Sequence, residues 1–254
     1  MEADFERRFG GVRRLYGEAA FQRFQQAHVC IVGVGGVGSW VAESMARSAI
    51  GRITLVDLDN IAESNTNRQV HALGDEYGKA KVTAMTERIH AINPRCEVIE
   101  IEDFVTADNL EEMLGRGYDF VVDAIDNARV KAAMINWCKR RKIKMITSGG
   151  AGGRVDPARI QLDDLARSVQ DPLLSRVRVL LRREYGFPKD PKKKFGVECV
   201  FSSEPLKMPE NGESCDVDDK PVTGINCAGF GAAMTVTASF GLWMSSRVLA
   251  HLAR

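Results

Sequence analysis

The stretch that decides the fold is His28-Val29-Cys30-Ile31-Val32-Gly33-Val34-Gly35-Gly36-Val37-Gly38-Ser39. Its first five residues are a short apolar run rich in β-branched side chains, which reads as a buried strand. Gly33, Gly35 and Gly38 then fit G-x-G-x-x-G, with Gly36 between them. Residues without a Cβ let the backbone turn tightly and approach a phosphate. From Ser39 to Ser48 the spacing becomes helical, with Val41, Met45 and Ala49 on one face. Arg52 to Asp57 is a second strand. Strand, glycine loop, helix and strand in this order make a βαβ unit of Rossmann type. The helix aims unpaired N–H groups and its positive dipole end at the loop, so Gly33, Gly35, Gly36 and Gly38 form a phosphate site.

Outward from this unit the alternation continues. Helices are expected over 79–92, 106–114 and 128–141, and strands over 97–102, 118–123 and 144–147. The residues before the first strand, to about Gln26, read as a charged helix anchored by Phe5, Phe9, Leu15, Phe21 and Phe24. The class is therefore α/β: a Rossmann-like, mostly parallel sheet with helices on both faces. After Ser148 the style changes to a C-terminal elaboration. It holds possible strands at 159–162 and 197–201, an amphipathic helix over 171–185, a proline-rich loop and a closing small-residue helix. One domain spans 1–254, with a nucleotide-binding core over about 26–150 and a substrate-facing elaboration over about 151–254.

The 254 residues carry a net charge of only +1, so nucleic-acid binding requires a local patch. The six cysteines show no C-x-x-C spacing, so no zinc site is expected and the thiols read as free in a cytoplasmic compartment. Ile225 to Ser246 carries no formal charge. Its Asn, Gly, Thr and Ser residues favour a buried core helix, with C-terminal membrane association as the alternative.

Which nucleotide binds is decided beyond the glycine loop. Asp57 ends the second strand where a ribose-binding acid belongs, which suits NAD and ATP equally. Arg68 in Asn65-Thr66-Asn67-Arg68-Gln69, and Lys81 in Gly78-Lys79-Ala80-Lys81, are cations that a dehydrogenase does not need. Nucleotidyl transfer needs them, because charge builds on the α-phosphate and pyrophosphate. Arg68 can fork onto phosphate oxygens and Lys81 can act as a point charge. Asp123-Ala124-Ile125-Asp126-Asn127 follows a buried strand, where ligands collect, and a carboxylate there can hold Mg²⁺. Asn127 is a candidate nucleotide contact beside it, with a plain helix cap as the alternative.

Taken together, Ile31 to Ser39, Leu55-Val56-Asp57-Leu58-Asp59, Ser64-Asn65, Asn67-Arg68-Gln69, Gly78 to Val82, Asp123 and Asp126-Asn127 resemble the ubiquitin-activating-enzyme-like adenylyltransferases. The resemblance implies ATP-dependent activation of a carboxylate as an acyl-adenylate, in a homodimer. It places ATP contacts at Asp57, Asn65, Arg68, Gln69 and Lys81, and Mg²⁺ at Asp126. The R-Y-x-R motif of the family is not matched, since Arg8-Phe9-Gly10-Gly11 has glycine there; Arg13 or Arg14 could substitute.

Further stretches resemble the tRNA-modifying members of that family. They are Arg8 to Val12, Leu15-Tyr16-Gly17, Gly196 to Ser202 and Cys227 to Gly231. That resemblance implies adenylation of the threonyl carboxylate of threonylcarbamoyladenosine beside the anticodon, then ring closure by the carbamoyl group with release of AMP and pyrophosphate. Attack within one molecule gains from proximity and needs no covalent cysteine. tRNA needs a cationic landing site, and Arg176, Arg182, Arg183, Lys192, Lys193 and Lys194 supply candidates. By composition alone they read as a solvated helix face and a basic loop.

Cys227 or Cys199 is a possible acceptor thiol, against the plainer reading of inert buried thiols. Three functions therefore remain open: the tRNA dehydration; adenylation of a small sulfur-carrier or ubiquitin-like partner, with a cysteine desulfurase or sulfur acceptor; and an NAD-dependent oxidoreductase.

Overall fold

In the computed structural model, which describes residues 4–207 and 230–254, seven strands form one sheet in the order β3-β2-β1-β4-β5-β7-β6. Their ranges are β1 His28–Val32, β2 Arg52–Val56, β3 Glu97–Ile101, β4 Phe120–Asp123, β5 Met145–Ser148, β6 Ile160–Asp164 and β7 Glu198–Ser202. All neighbours pair in parallel except β6 with β7, which is antiparallel. The second half of the chain thus extends the sheet begun by the first.

Alternation along β1 assigns the two faces. Val29 and Ile31 join the core beneath α3 (Gly38–Arg47), α4 (Lys81–Ile92) and α8 (Met234–Leu252). Cys30 and Val32 face the opposite core, under α5 (Leu110–Leu114) and α6 (Ala128–Arg140). Because both faces are covered, every β1 residue is buried, and the strand reads as a continuous apolar run. A further apolar cluster joins α6 to α7 (Pro172–Glu184).

Several boundaries differ from the expectations, each for a local reason. The N-terminal helix is two helices, α1 Phe5–Tyr16 and α2 Glu18–Gln26, broken at Gly17, whose φ of 84° is outside helical space. Helix α4 starts at Lys81 because Ala80 is taken into a bridge with Asn60. Only 110–114 of the expected 106–114 is helical, since Asn109 Oδ1 accepts from Thr106 N and turns the preceding residues.

The uncharged C-terminal stretch is resolved by packing. Val236, Phe240, Met244 and Val248 of α8 enter the core beside α3. A Cβ on Gly241 would lie 2.7 Å from the carbonyl oxygen of Val37, so a glycine lets the two helices approach. No helix among the described residues is long and apolar enough to cross a membrane. Residues 225–229 of the stretch, with Cys227, lie outside the described residues.

The glycine loop imposes the tightest constraint. A Cβ on Gly38 would stand 1.8 Å from the carbonyl oxygen of Gly33. Gly38→Ala is therefore expected to cost about 3 kcal/mol or more, read as a fall in the urea midpoint. A midpoint within error of the parent would show that the loop can open without penalty.

Candidate functional site

Parallel strands bring the loops after β1, β2, β4 and β5 to one edge of the sheet. The strand order reverses between β1 and β4, which opens a crevice at their C-terminal ends. The glycine loop occupies it. Gly33 has a φ of 88° and approaches the backbone of Ala124 so closely that a Cβ would be 3.1 Å from it. Gly33 N donates to Val56 O at 2.9 Å, which ties the loop to the end of β2.

Asp57 clamps the loop from the side. Its Oδ2 accepts from Val34 N at 2.7 Å and its Oδ1 from Asp59 N at 3.0 Å. Burial raises the Asp57 carboxyl above the usual carboxylate range, opposed by the charge of Lys81 and by the Val34 N–H. Lys81 reaches this corner because residues 59–61 run back against 78–81, with Lys81 N donating to Asp59 O at 3.0 Å and Ile61 N to Lys79 O at 2.9 Å. Its Nζ lies 2.7 Å from Asp59 Oδ2 and 3.8 Å from Asp57 Oδ1.

Arg68 comes from the loop after β2 and lays its stem over Gly36, where a Cβ would meet Cγ and Cδ at 3.1 and 3.2 Å. Its Nη1 donates to Ser64 O at 2.8 Å and to Asn67 Oδ1 at 3.0 Å, and Trp40 Nε1 donates to its carbonyl at 2.9 Å. Asn65 is buried and shapes this turn, its Oδ1 accepting from Ala62 N at 3.0 Å. Gln69 is buried beside Gly35, and its Oε1 has no hydrogen-bond partner among the described residues. A buried acceptor beside a cradle without Cβ atoms fits a hydrogen-bonding ligand such as a nucleotide.

Asp126 stands on the β4–α6 loop. Burial raises its carboxyl above the usual range; Lys131 and Lys81 oppose the shift and Asp59 adds to it, which puts these groups in one electrostatic neighbourhood. Asn127 Oδ1 caps α6, accepting from Arg129 N at 3.1 Å and Val130 N at 3.2 Å, so its carbonyl oxygen serves the helix. Among the described residues no group of three or more His, Cys, Asp and Glu gathers to hold a metal. Asp126 is the carboxylate on this loop that could hold Mg²⁺, which shares its coordination between one or two carboxylates and phosphates.

Beneath the loop lies a pair that sequence reasoning passed over. Lys131 and Asp123 are both fully buried, with Nζ 2.8 Å from Oδ1; Thr147 Oγ1 donates to Asp123 Oδ2 at 2.7 Å and lies 3.0 Å from the ammonium. Ile125 N donates to Asp123 Oδ1 at 3.3 Å, so the pair also holds the start of the loop that carries Asp126. The available signal was Lys131 itself, a charge inside the otherwise apolar run from Val130 to Ile135.

The other predicted residues are placed elsewhere. Arg182 is held by Pro188 O at 3.2 Å and lies 5.1 Å over the Phe195 ring; Arg183 pairs with Glu184 at 2.5 Å. Arg176 and Lys192, Lys193 and Lys194 are exposed, and the three lysines precede the start of β7, at the sheet edge opposite the glycine loop. Arg13 pairs with Glu6 at 2.7 Å. Cys199 is buried, which pushes its thiol well above the usual range, the state of an inert thiol.

Fold and crevice define a nucleotide-binding protein of Rossmann type. The chain belongs to the ThiF family, whose model matches residues 10–251. A Haemophilus influenzae relative, a tRNA threonylcarbamoyladenosine dehydratase, is 49% identical over 250 residues, covering 98% of this chain and 94% of the relative. The crystal structure of the E. coli tRNA N6-threonylcarbamoyladenosine dehydratase with ATP superposes with a TM-score of 0.88 at 48% identity, covering 99% of this chain and 96% of that one. The same enzyme with AMP gives a TM-score of 0.88 at 49% identity, covering 98% and 96%.

Because burial raises the Asp126 carboxyl, its ionised form disfavours the folded state. That penalty is absent below the ordinary carboxylate pKa and grows as pH rises through the raised value. Asp126→Asn without nucleotide should therefore melt higher than the parent at pH 7, with the two converging at low pH. Equal melting temperatures at every pH would show that Asp126 is solvated.

Proposed function

We propose that this chain is an ATP-dependent enzyme that dehydrates threonylcarbamoyladenosine in tRNA, next to the anticodon, by adenylating the threonyl carboxylate. The observation that carries the reading is near-complete alignment, at about half identity, with a relative named for that activity. The crevice suits the chemistry. The α3 N-terminus and glycine loop would receive phosphate, Asp57 would meet the ribose, and Arg68, Gln69 and Lys81 would stand beside the phosphates with Asn65 shaping the turn.

In the first step a threonyl carboxylate oxygen attacks the α-phosphorus, the bond to the pyrophosphate oxygen breaks, and an acyl-adenylate forms. In the second, the carbamoyl group attacks the acyl carbon and gives up a proton to solvent, and AMP departs with the former carboxylate oxygen, so the nucleoside loses the elements of water while AMP and pyrophosphate are released in place of free water. Arg68 and Lys81 would neutralise charge on the phosphates as it moves toward the leaving group. Asp126 would hold Mg²⁺, which when bound screens the phosphate oxygens. Asn127 supports the site by capping α6 rather than by a contact from its carbonyl oxygen. The reading includes a homodimer in the cytoplasm.

Incubation with tRNA carrying threonylcarbamoyladenosine, ATP and Mg²⁺ should yield the dehydrated nucleoside by mass spectrometry, with tRNA-dependent pyrophosphate release. Release triggered only by a small sulfur-carrier protein would replace this reading with the adenylyltransferase one. Arg68→Ala and Asp126→Ala should each lower turnover by about 10²–10³-fold or more while keeping a cooperative melt. Near-normal turnover in either would remove that residue from the site.

Charge reversal at Lys192, Lys193 and Lys194 together should weaken tRNA binding and leave ATP affinity alone. Unchanged tRNA affinity would take this loop out of the landing surface.

A further inference from the structure

The edge of the sheet opposite the glycine loop carries a cavity of about 480 Å³. It opens at the starts of β4, β5 and β7, where Phe120, Met145 and Glu198 line it. Its charged wall is dominated by one sign: Lys139, Lys142, Lys144, Arg247 and Arg254, with His251 beside them. Glu198, the one carboxylate side chain in the lining, is engaged by Arg247. Lys142 and Lys144 are exposed and form no ion pair with a described residue. In a chain of net charge +1, this excess is local. Burial and the charges of Lys144 and Arg254 also depress His251, so the cationic field is felt within the wall.

The plain alternative is a helix C-terminus decorated with cations that offset its dipole, since Lys139 lies in the last turn of α6 and Lys142 just beyond its end. That accounts for the residues of α6. It does not account for Lys144 before β5 or Arg254 after α8, which converge on the same concavity from other elements. The pocket also has a physical link to the nucleotide site. Helix α6 begins at Asn127, beside Asp126, and its 13 residues span about 20 Å to the pocket. Helix α7 runs alongside from Asp171, whose Oδ2 accepts from Gly150 N at the nucleotide edge. The loop after α7 returns to the pocket, where Lys139 Nζ donates to Phe195 O and lies 5.9 Å over the Phe187 ring. Arg176 and Arg183 are exposed along α7, between the two edges.

We infer that this cavity is a second anchor for the phosphate backbone of the RNA substrate, holding an RNA arm that runs along the α6–α7 face toward the crevice. The inference rests on the tRNA reading above. Phosphate contacts of this kind position the substrate and carry no sequence information.

The test is tRNA binding by the full chain over a salt series, for the parent, for Lys142→Glu/Lys144→Glu and for the charge-conserving Lys142→Arg/Lys144→Arg. The Glu variant is expected to bind tRNA at least tenfold more weakly, with a log K against log salt slope shallower by about 1–2. Its ATP affinity and melting temperature should be unchanged, and the Arg variant should bind as the parent does. If the parent binds tRNA and the Glu variant binds it equally well with the same slope, the inference fails while the tRNA reading stands. Weakening in the Arg variant as well would also overturn it, because charge would then not be the cause. If the parent itself does not bind tRNA, the functional reading falls and takes this inference with it.

Discussion

The structure depends on one close approach, that of the Gly38 backbone to the Gly33 carbonyl. Only with no Cβ at Gly38 can α3 begin directly above the end of β1. That placement brings the unpaired N–H groups of the helix to the crevice between β1 and β4, and it turns an ordinary βαβ unit into an anion receptor. Gly33 repeats the constraint one turn earlier, against Ala124, so the β1 loop and the β4 loop are pressed together. The residues that would act on a phosphate are therefore set by backbone contact before any side chain is considered.

A second layer of organisation is electrostatic and largely hidden. Asp123, Lys131 and Thr147 form a fully buried group under the loop. A buried ion pair is weak evidence for stability, since desolvation offsets its Coulomb energy. Its effect here is positional: Asp123 also receives Ile125 N and so holds the path to Asp126. Asp57 does the same for Val34. Two carboxylates thus serve as brackets for the loops, beside the half-buried Arg68 and Asp126 and the buried Lys81. The raised carboxyls of Asp57 and Asp126 are the cost of burying acids in this corner of the fold.

The same sheet separates the crevice and the basic cavity by its length. Nucleotide chemistry belongs to the C-terminal ends of the parallel strands. The basic cavity lies at their starts, and α6 connects the two, capped by Asn127 at one end and lined with lysines at the other. A macromolecular substrate can use both edges at once, which a small molecule cannot.

The sequence by itself determined the fold class, because alternating apolar runs and helical periods are local signals and the glycine spacing is a backbone requirement. It also singled out Arg68, Lys81 and Asp126 as candidates for the chemistry, because each departs from what a plain dinucleotide fold needs. It identified the dual nature of Asn127 but not which role its oxygen takes. Only the tertiary structure decided that the uncharged C-terminal stretch enters the core as α8, since this depends on Gly241 meeting Val37 across two distant segments. Only it revealed the Lys131–Asp123 pair and the convergence of Lys142, Lys144 and Arg247 on one cavity. The physical reason is common to all three. Charge neutralisation, close approach and concavity are properties of residues far apart in the chain, and no period in the sequence encodes which of them will meet.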